Sequence, residues 1–299
     1  MLSGRGGASP TLVFAMGNGQ IDASGTCPTR FSKRADKRPP VPTMVARFAS
    51  ILAAYSILVA SPSVPGASAT AEERSLTIAA AANMSDALEE IKSAYAAKHA
   101  VKLVYSFGAS GSLAQQIRHG APFDLLLSAD VRTVAKLLEE GWILPGTAKI
   151  YARGQLVLWT EESTHVRLNT LEDVLQPAIE RIAIAHPATA PYGRAAVEAL
   201  EAAGLWDRVK DKIIYAENVN QAQQYAATRN TDVAFIPLAL VRRAPGRFVR
   251  VDGKLHVPID QALGVVRNSV HHAEAKEFAE FLLSEQGRVI LKKFGYTLP

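Results

Sequence analysis

Two short polar turns contain the residues whose types and spacing are suited to ligand binding or catalysis. They run from Ala80 to Asp86 and from Ser106 to Ser112, and each follows an apolar strand-like run and precedes an amphipathic helical pattern. The first turn of a helix presents backbone N–H groups that have no acceptor within the helix, together with the positive end of the helix dipole. Two such helix starts side by side predict an anion site that needs no Lys or Arg.

Two further helix starts, at residues 191–193 and 218–220, have the same character. Ser85 and Asn218 are residue types that cap helix N-termini, and Pro191 suits the first turn of a helix. Each of the four helix starts follows a predicted strand. Because the loops after strand C-termini meet at one edge of an α/β sheet, all four are expected to face the same cleft.

The second polar turn also has a possible enzymatic interpretation. Residues 108–112 come close to the G-x-S-x-G elbow that holds the nucleophile of many hydrolases, with Ser110 at the nucleophile position. The last position is Ser112 rather than Gly, and the nearest candidate base, His186, has no spacing that marks it as a partner. A serine hydrolase therefore stays open as an alternative from another functional class.

The elements that must position these turns follow from the periodicity of the apolar residues. Short β-branched or apolar runs alternate with helical patterns from Leu76 onward, which predicts βαβ units and a parallel or mixed sheet with helices on both sides. The predicted strands are Leu76–Ala82, Val101–Phe107, Phe123–Ser128, Gln155–Thr160, Arg181–Ala185, Lys212–Ala216, Asp232–Pro237 and Ala262–Arg267.

Two extended runs, Gly154–Trp159 and Asp252–Pro258, look like crossings between lobes rather than ordinary loops. They predict that the chain leaves one α/β lobe, builds a second and returns to finish the first. Lobe 1 would comprise residues 70–153 and 257–299, and lobe 2 residues 154–256. A cleft between two lobes that share two connections is a hinge that can close over a ligand.

The charge of the chain is concentrated in its first 69 residues. These carry seven basic and two acidic side chains, which account for the whole net charge of +5, so the remainder is neutral and no nucleic-acid partner is expected. Residues 44–69 combine a charged start, a short apolar run and a small-residue exit, as a cleavable signal peptide does. Residues 1–43 are interpreted as an upstream extension, disordered or untranslated. The single cysteine, Cys27, lies there, so the exported chain has no thiol.

These residues resemble the substrate-binding proteins of molybdate ABC transporters. The resemblance extends over essentially the whole predicted mature chain, and its motifs are specific in combination rather than singly. The matching segments are Ala79-Ala80-Ala81-Ala82-Asn83, residues 106–117, residues 120–125 with Ser128-Ala129-Asp130, Pro191-Tyr192-Gly193 and Glu217-Asn218-Val219.

The resemblance implies a type II periplasmic binding protein fold, with two lobes of mixed sheets flanked by helices. It also implies that a tetrahedral oxyanion, molybdate or tungstate, is held by Asn83, Ser110, Tyr192 and the backbone N–H of Val219. Asn83 stands where Ser is frequent in the family, and its amide is expected to donate instead. A further family contact aligns with Pro237, which has neither hydroxyl nor N–H, and Tyr192 could supply the missing phenol.

The expected function is therefore that of an extracytoplasmic, periplasmic substrate-binding component of an ABC importer, with no enzymatic activity. Molybdenum would be bound only as the oxyanion, and no cofactor is expected. The expected partner is a membrane permease, and the protein is expected to be a monomer. Two alternatives remain open: a binding protein for sulfate or another small oxyanion, and the exported serine hydrolase that uses Ser110.

Overall fold

The computed structural model describes residues 74–298 of the chain. The predicted extension at residues 1–43, the predicted signal peptide at residues 44–69 and Cys27 lie outside the described residues. Within residues 74–298, no helix has both the length and the apolar character needed to cross a bilayer. The four predicted helix starts all lie inside the described range.

Strands and helices alternate through most of the described chain. The strands are β1 (Ser75–Ala81), β2 (Lys102–Gly108), β3 (Leu125–Ser128), β4 (Lys149–Gly154), β5 (Leu156–Glu161), β6 (Ile182–Ala185), β7 (Ile213–Ala216), β8 (Val233–Pro237), β9 (Gly246–Arg250) and β10 (Ile259–Val265). The α-helices are α1 (Ser85–Ala96), α2 (Ser110–Arg118), α3 (Val131–Glu139), α4 (Pro191–Ala202), α5 (Trp206–Val209), α6 (Val219–Ala227), α7 (His272–Leu283) and α8 (Glu285–Lys293). Shorter 3-10 turns span Ala82–Met84, Leu171–Leu175, Lys210–Lys212 and Leu238–Arg243.

The strands form two five-stranded sheets with the same internal order. One sheet runs β2-β1-β3-β10-β4 and the other runs β7-β6-β8-β5-β9. In each sheet the first three strands are parallel, and the fourth runs antiparallel to the third and to the fifth. The predicted α/β class with mixed sheets flanked by helices is confirmed.

Two strands, β4 and β9, are missing from the sequence prediction. Both lie at the edge of their sheet, and both leave several residues exposed or half-exposed. An edge strand needs little apolar surface, so its sequence does not carry the buried run that marks the central strands. The prediction also placed the last strand about three residues late, because β10 begins at Ile259 rather than Ala262.

The chain passes between the sheets twice. It leaves β4 at Gly154 and enters β5 at Leu156, so the first crossing is the single residue Gln155. It returns through residues 251–258, between β9 and β10. We call the body around the first sheet lobe 1 and the body around the second sheet lobe 2. Helices α7 and α8 follow β10 and complete lobe 1.

Apolar clusters fill both lobes, and the cluster of lobe 2 extends into lobe 1 through Ala81, Ala82 and Ala109. In lobe 1 the alternation along β1 sends Ile78 into the cluster beneath α1, α7 and α8, and Ala79 into the cluster beneath α2 and α3. In lobe 2 the residues of β5, β6 and β8 pack with α4 and α6 in one continuous cluster around Trp159. Burial of apolar residues on both faces of each sheet fixes the helices, and therefore fixes where each helix begins.

Candidate functional site

The four predicted helix starts meet at one cavity between the lobes. Asn83, Ser110, Tyr192 and Val219 all line it, and they are buried, with exposed fractions of 1%, 0%, 2% and 5%. The cavity volume is about 10 Å³, about the space that one water molecule needs and far below the volume of pockets that hold drug-sized molecules. The other lining residues are Ala81, Ala82, Gly108, Ala109, Ala129, Ala190, Pro191 and Asn218.

The helix start of α6 shows how the sequence leaves a backbone donor at the cavity. Asn218 is the N-cap, as predicted, and its side-chain oxygen accepts the N–H groups of Asn220 and Gln221 at 3.0 and 3.1 Å. The N–H of Val219, the first residue of the helix, is not used by this cap. Because Val219 lines the cavity, its N–H is the donor that lobe 2 can offer from this turn.

The other three helix starts have no side-chain cap among the residues that the structure describes. Pro191 occupies the first turn of α4, as predicted, where its missing N–H costs nothing. The prediction that Ser85 caps α1 is wrong, because the 3-10 turn Ala82–Met84 extends the helix upstream and makes Met84 the N-cap. Uncapped first turns leave N–H groups and dipole ends available to an anion, although the Gly111 N–H in the first turn of α2 donates to Thr189 O.

Ser110 lies at the start of α2 with its hydroxyl oxygen already used as an acceptor. The backbone N–H of Ala129 donates to Ser110 Oγ at 2.9 Å. The hydroxyl hydrogen remains for a ligand, so Ser110 can act as a donor.

Among residues 74–298, the hydrogen bond found at the Ser110 hydroxyl comes from the Ala129 N–H and not from a catalytic base. None of the described residues that line the cavity is a histidine. His186, the candidate named from sequence, accepts the N–H of Ala188 through Nδ1 at 3.3 Å and packs against the ring of Tyr215. The contacts that make a serine nucleophilic are therefore not found between these two residues.

Asn83 has a different role from the one expected of its amide. Its Nδ2 donates to Gln261 Oε1 and to the hydroxyl of Tyr296, both at 2.9 Å. An amide nitrogen carries two hydrogens, so both are used inside the protein. What Asn83 can still offer a ligand is its backbone N–H, which belongs to the first turn of the 3-10 segment.

Tyr192 brings a phenol from lobe 2 against the polar side chains of lobe 1. Gln261 Nε2 donates to the Tyr192 hydroxyl at 3.0 Å, and a Cβ on Gly154 would collide with that hydroxyl. Burial raises the pKa of Tyr192 well above its usual value, and burial likewise raises the pKa values of Tyr151 and Tyr296. All three tyrosines are thus neutral phenols near pH 7 and can donate hydrogen bonds.

Three residues of this polar cluster were missed by sequence reasoning. Gln261 is completely buried, and Tyr151 donates to Gln261 Oε1 at 2.9 Å while Tyr296 donates to the backbone oxygen of Asn83 at 2.8 Å. The signal for Gln261 is strand alternation, which places this amide on the same side of the strand as Ile259 and Leu263. Because the predicted strand began at Ala262, this residue fell outside it.

The two lobes are closed on one another around the cavity. The N–H of Gly111 in lobe 1 donates to Thr189 O in lobe 2 at 2.9 Å. Arg194 at the start of α4 forms an ion pair with Asp130 of lobe 1 at 2.6 Å. Contacts of this kind exist only when the lobes are together, so they belong to the closed state of the cleft.

Pro237 does not replace the lost family contact. It ends β8, where it pairs with Leu156, and it is not among the described residues that line the cavity. Tyr192 is among the residues that line the cavity.

The electrostatics of the cavity favour an anion without a counter-charge. None of the described residues that line it is charged, and the polar groups of these residues are hydroxyls, the side-chain amides of Asn83 and Asn218, and first-turn N–H groups. Hydrogen bonds to a charged acceptor are about twice as strong as neutral ones, so several fixed donors can offset the loss of hydration. Among residues 74–298 no cluster of His, Cys, Asp and Glu could hold a metal cation.

Comparisons with known proteins identify the family. The family model described as bacterial extracellular solute-binding protein matches residues 76–297. The molybdate-binding protein ModA of Rhodobacter capsulatus is 34% identical over 220 residues, which is 73% of this chain and 86% of that protein. ModA of Azotobacter vinelandii is 33% identical over 233 residues, covering 76% and 92%.

A solved structure gives the same result for the fold. The periplasmic molybdate-binding protein of Azotobacter vinelandii superposes with a TM-score of 0.71 at 30% identity, over 75% of this chain and 99% of that one. The two mixed sheets therefore form the two-lobed, type II fold of periplasmic binding proteins, as predicted. The chain belongs to the family of bacterial extracellular solute-binding proteins.

Proposed function

We propose that this protein captures molybdate or tungstate in the cavity between its lobes and delivers the anion to the membrane permease of an ABC importer. The observation that carries the proposal is the convergence of four helix starts, with no charged side chain, on one small buried cavity. The relatives named above as molybdate-binding proteins support the choice of anion.

The anion would be held by donors from both lobes. Ser110 would donate its hydroxyl hydrogen and Asn83 its backbone N–H from lobe 1, while Tyr192 would donate its phenol hydrogen and Val219 its backbone N–H from lobe 2. Each such bond to a charged acceptor contributes about 1.5–3 kcal/mol. Proteins of this fold close by a hinge motion, so the contacts of lobe 2 would be completed on closure.

Fixed donors would also select among anions. Sulfate is smaller than molybdate and could not satisfy donors on both lobes at once. Phosphate keeps a proton near neutral pH, and that hydrogen would meet a site that offers only donors. The leading competitor within the same fold is therefore a binding protein for another small oxyanion.

The remaining features follow from this role. The protein would perform no reaction, hold no resident cofactor and act as a monomer without a nucleic-acid partner. Residues 44–69 would direct export to the periplasm and be removed, and residues 1–43 would take no part in transport. Molybdenum would enter only as the oxyanion.

Calorimetric titration of the purified protein with molybdate, tungstate, sulfate and phosphate tests the proposal. Tight binding of the two metal oxyanions, with sulfate and phosphate at least about 100-fold weaker, is the expected result. Absence of heat with both metal oxyanions would rule the proposal out. Covalent labelling of Ser110 by a fluorophosphonate, lost in Ser110→Ala, would instead support the hydrolase.

A further inference from the structure

Gln261 lies at the centre of the polar cluster, between the predicted ligand contacts of the two lobes. It sits on β10 in lobe 1, is completely buried, and contacts Asn83 and Tyr151 through Oε1. Its Nε2 reaches across to the hydroxyl of Tyr192 in lobe 2. Gln261 is therefore the residue that joins the polar side chains of one lobe to the phenol of the other.

In this cluster, the donor and the acceptor of one hydrogen bond determine which atoms can donate or accept in the next. The chain of bonds starts at Tyr296. Tyr296 donates its hydroxyl hydrogen to the backbone oxygen of Asn83, so its own oxygen is the acceptor for Asn83 Nδ2. The other Nδ2 hydrogen then points at Gln261, which must present its oxygen on that side. The Tyr151 hydroxyl lies 2.9 Å from the same oxygen and 3.3 Å from Ser128 O, so it can donate to either one and is compatible with this orientation.

Because the Gln261 oxygen accepts a hydrogen from Asn83, the NH₂ group of the same amide must face Tyr192. The amide donates to the phenol oxygen at 3.0 Å, so the phenol hydrogen is not used by Gln261. Tyr192 lines the cavity, and its raised pKa keeps that hydrogen in place. If the amide were reversed, its oxygen would take the phenol hydrogen, and a lone pair would face the bound anion.

We propose that Gln261 is a positioning residue that sets the direction of the Tyr192 hydrogen bond, so that the cavity offers donors only and prefers oxyanions without a proton. This inference rests on the proposed function, because it assumes that an oxyanion occupies the cavity. Gln261 does not touch the anion; it acts through Tyr192.

Gln261→Glu is the variant that reverses the bond with almost no change in shape. A carboxylate still accepts from Asn83 and Tyr151, and it also accepts the Tyr192 hydrogen, which withdraws that hydrogen from the cavity. The side chains in hydrogen-bonding contact with Gln261 are all uncharged, so no ion pair is broken. Molybdate affinity is measured by calorimetry for four proteins: the parent chain, Tyr192→Phe, Gln261→Glu and the double variant.

We expect Tyr192→Phe to weaken molybdate binding about 10- to 100-fold in the parent chain, but less than about threefold in the Gln261→Glu background. Repulsion between the new carboxylate and the anion is present in both members of the second pair, so it cancels. The ratio of molybdate to phosphate affinity should fall at least about tenfold in Gln261→Glu, because the exposed phenol oxygen can then accept the phosphate hydrogen.

Equal losses from Tyr192→Phe in both backgrounds, or an unchanged anion ratio, would overturn the inference. Gln223→Glu is the matched control, since Gln223 is also a buried amide, and among residues 74–298 its side chain bonds to Leu240 O in lobe 2; this variant should leave the ratio unchanged. If Gln261→Glu does not fold, Gln261→Met replaces it, and parent-like affinity in that variant would equally reject the role. Failure of the parent chain to bind molybdate would reject the proposed function instead.

Discussion

Lobe 1 and lobe 2 have the same strand order, yet they meet the cavity in different ways. Lobe 1 presents Ser110 and Asn83, both held by hydrogen bonds to other groups of lobe 1. Lobe 2 presents Tyr192 and the N–H of Val219 at two helix starts, and the phenol is held by Gln261, which belongs to lobe 1.

The difference indicates a division of roles within one topology. The side chains of Ser110 and Asn83 have their hydrogen-bond partners within lobe 1, so their orientation can persist in an open cleft. The phenol of lobe 2 gains its orientation only where the lobes meet. Under the proposed function, lobe 1 would receive the anion first and lobe 2 would complete the contacts, which separates capture from closure.

The largest effect is expected from adding one methyl group where the lobes join. Gly154→Ala places a Cβ against the Tyr192 hydroxyl and Gln261, and should weaken molybdate binding more than about 100-fold, since it displaces the donor of lobe 2. Gly253→Ala, on the other crossing, meets no atom within 4 Å and serves as the control. Calorimetry measures the molybdate affinity of both variants. Parent-like affinity in Gly154→Ala would contradict a role for the position of the Tyr192 hydroxyl in binding.

A smaller loss is expected from the lobe 1 side. Ser110→Ala removes a hydroxyl donor and leaves the Ala129 N–H without its acceptor, so molybdate affinity should fall about 10- to 100-fold. Ser112→Ala in the same turn does not line the cavity and should bind as the parent does. An equal loss in both variants would mean that the turn matters only for folding.

A modest effect is expected from the ion pair between the lobes. Arg194→Gln removes the partner of Asp130, whose side chain is 13% exposed, and should raise the off-rate of the anion about two- to fivefold by favouring the open cleft. Arg118→Gln breaks a similar pair with Glu140 inside lobe 1 and should not change the off-rate. Stopped-flow release of molybdate measures the off-rates of both variants. Identical off-rates for the two variants would show that this ion pair does not stabilise the closed cleft.

The smallest effect on binding is expected from pH. The proposed donors are neutral, and burial raises the pKa values of Tyr192, Tyr151 and Tyr296, so molybdate affinity should stay flat from about pH 6.5 to 9. A pronounced slope of affinity in that interval would show that a titrating group takes part.

The same tyrosines predict how stability depends on alkali. A tyrosine whose pKa is raised in the folded state contributes stability to the folded protein. This contribution is fully present below the pKa of the unfolded state, near 10, and is lost as the pH rises above that value. The free energy of unfolding should thus fall above pH 10, by up to about 1.4 kcal/mol per pH unit for each tyrosine. Denaturant titrations at pH 8 and pH 11 measure this, and replacing Tyr151 by Phe should reduce the difference.

Most of the fold could be predicted from the sequence, because the central strands and the helices carry strong apolar periodicity. Strands β4 and β9 could not, since edge strands need little apolar surface. The meeting of Ser110, Tyr192 and Val219 followed from the rule that strand ends share one edge of a sheet. The use of both Asn83 amide hydrogens could not be foreseen, because it depends on partners 178 and 213 residues away.

The sequence by itself determined the elements and the donor types, because periodicity, caps and turn residues act within a few positions along the chain. It thereby determined that uncharged helix starts would meet at a cleft. Only the tertiary structure decided which hydrogens remain for a ligand, since each depends on whether a group distant in sequence has already taken a lone pair or a proton. Gln261 is the clearest case: its identity is in the sequence, but the direction of its amide is set by Asn83 in space.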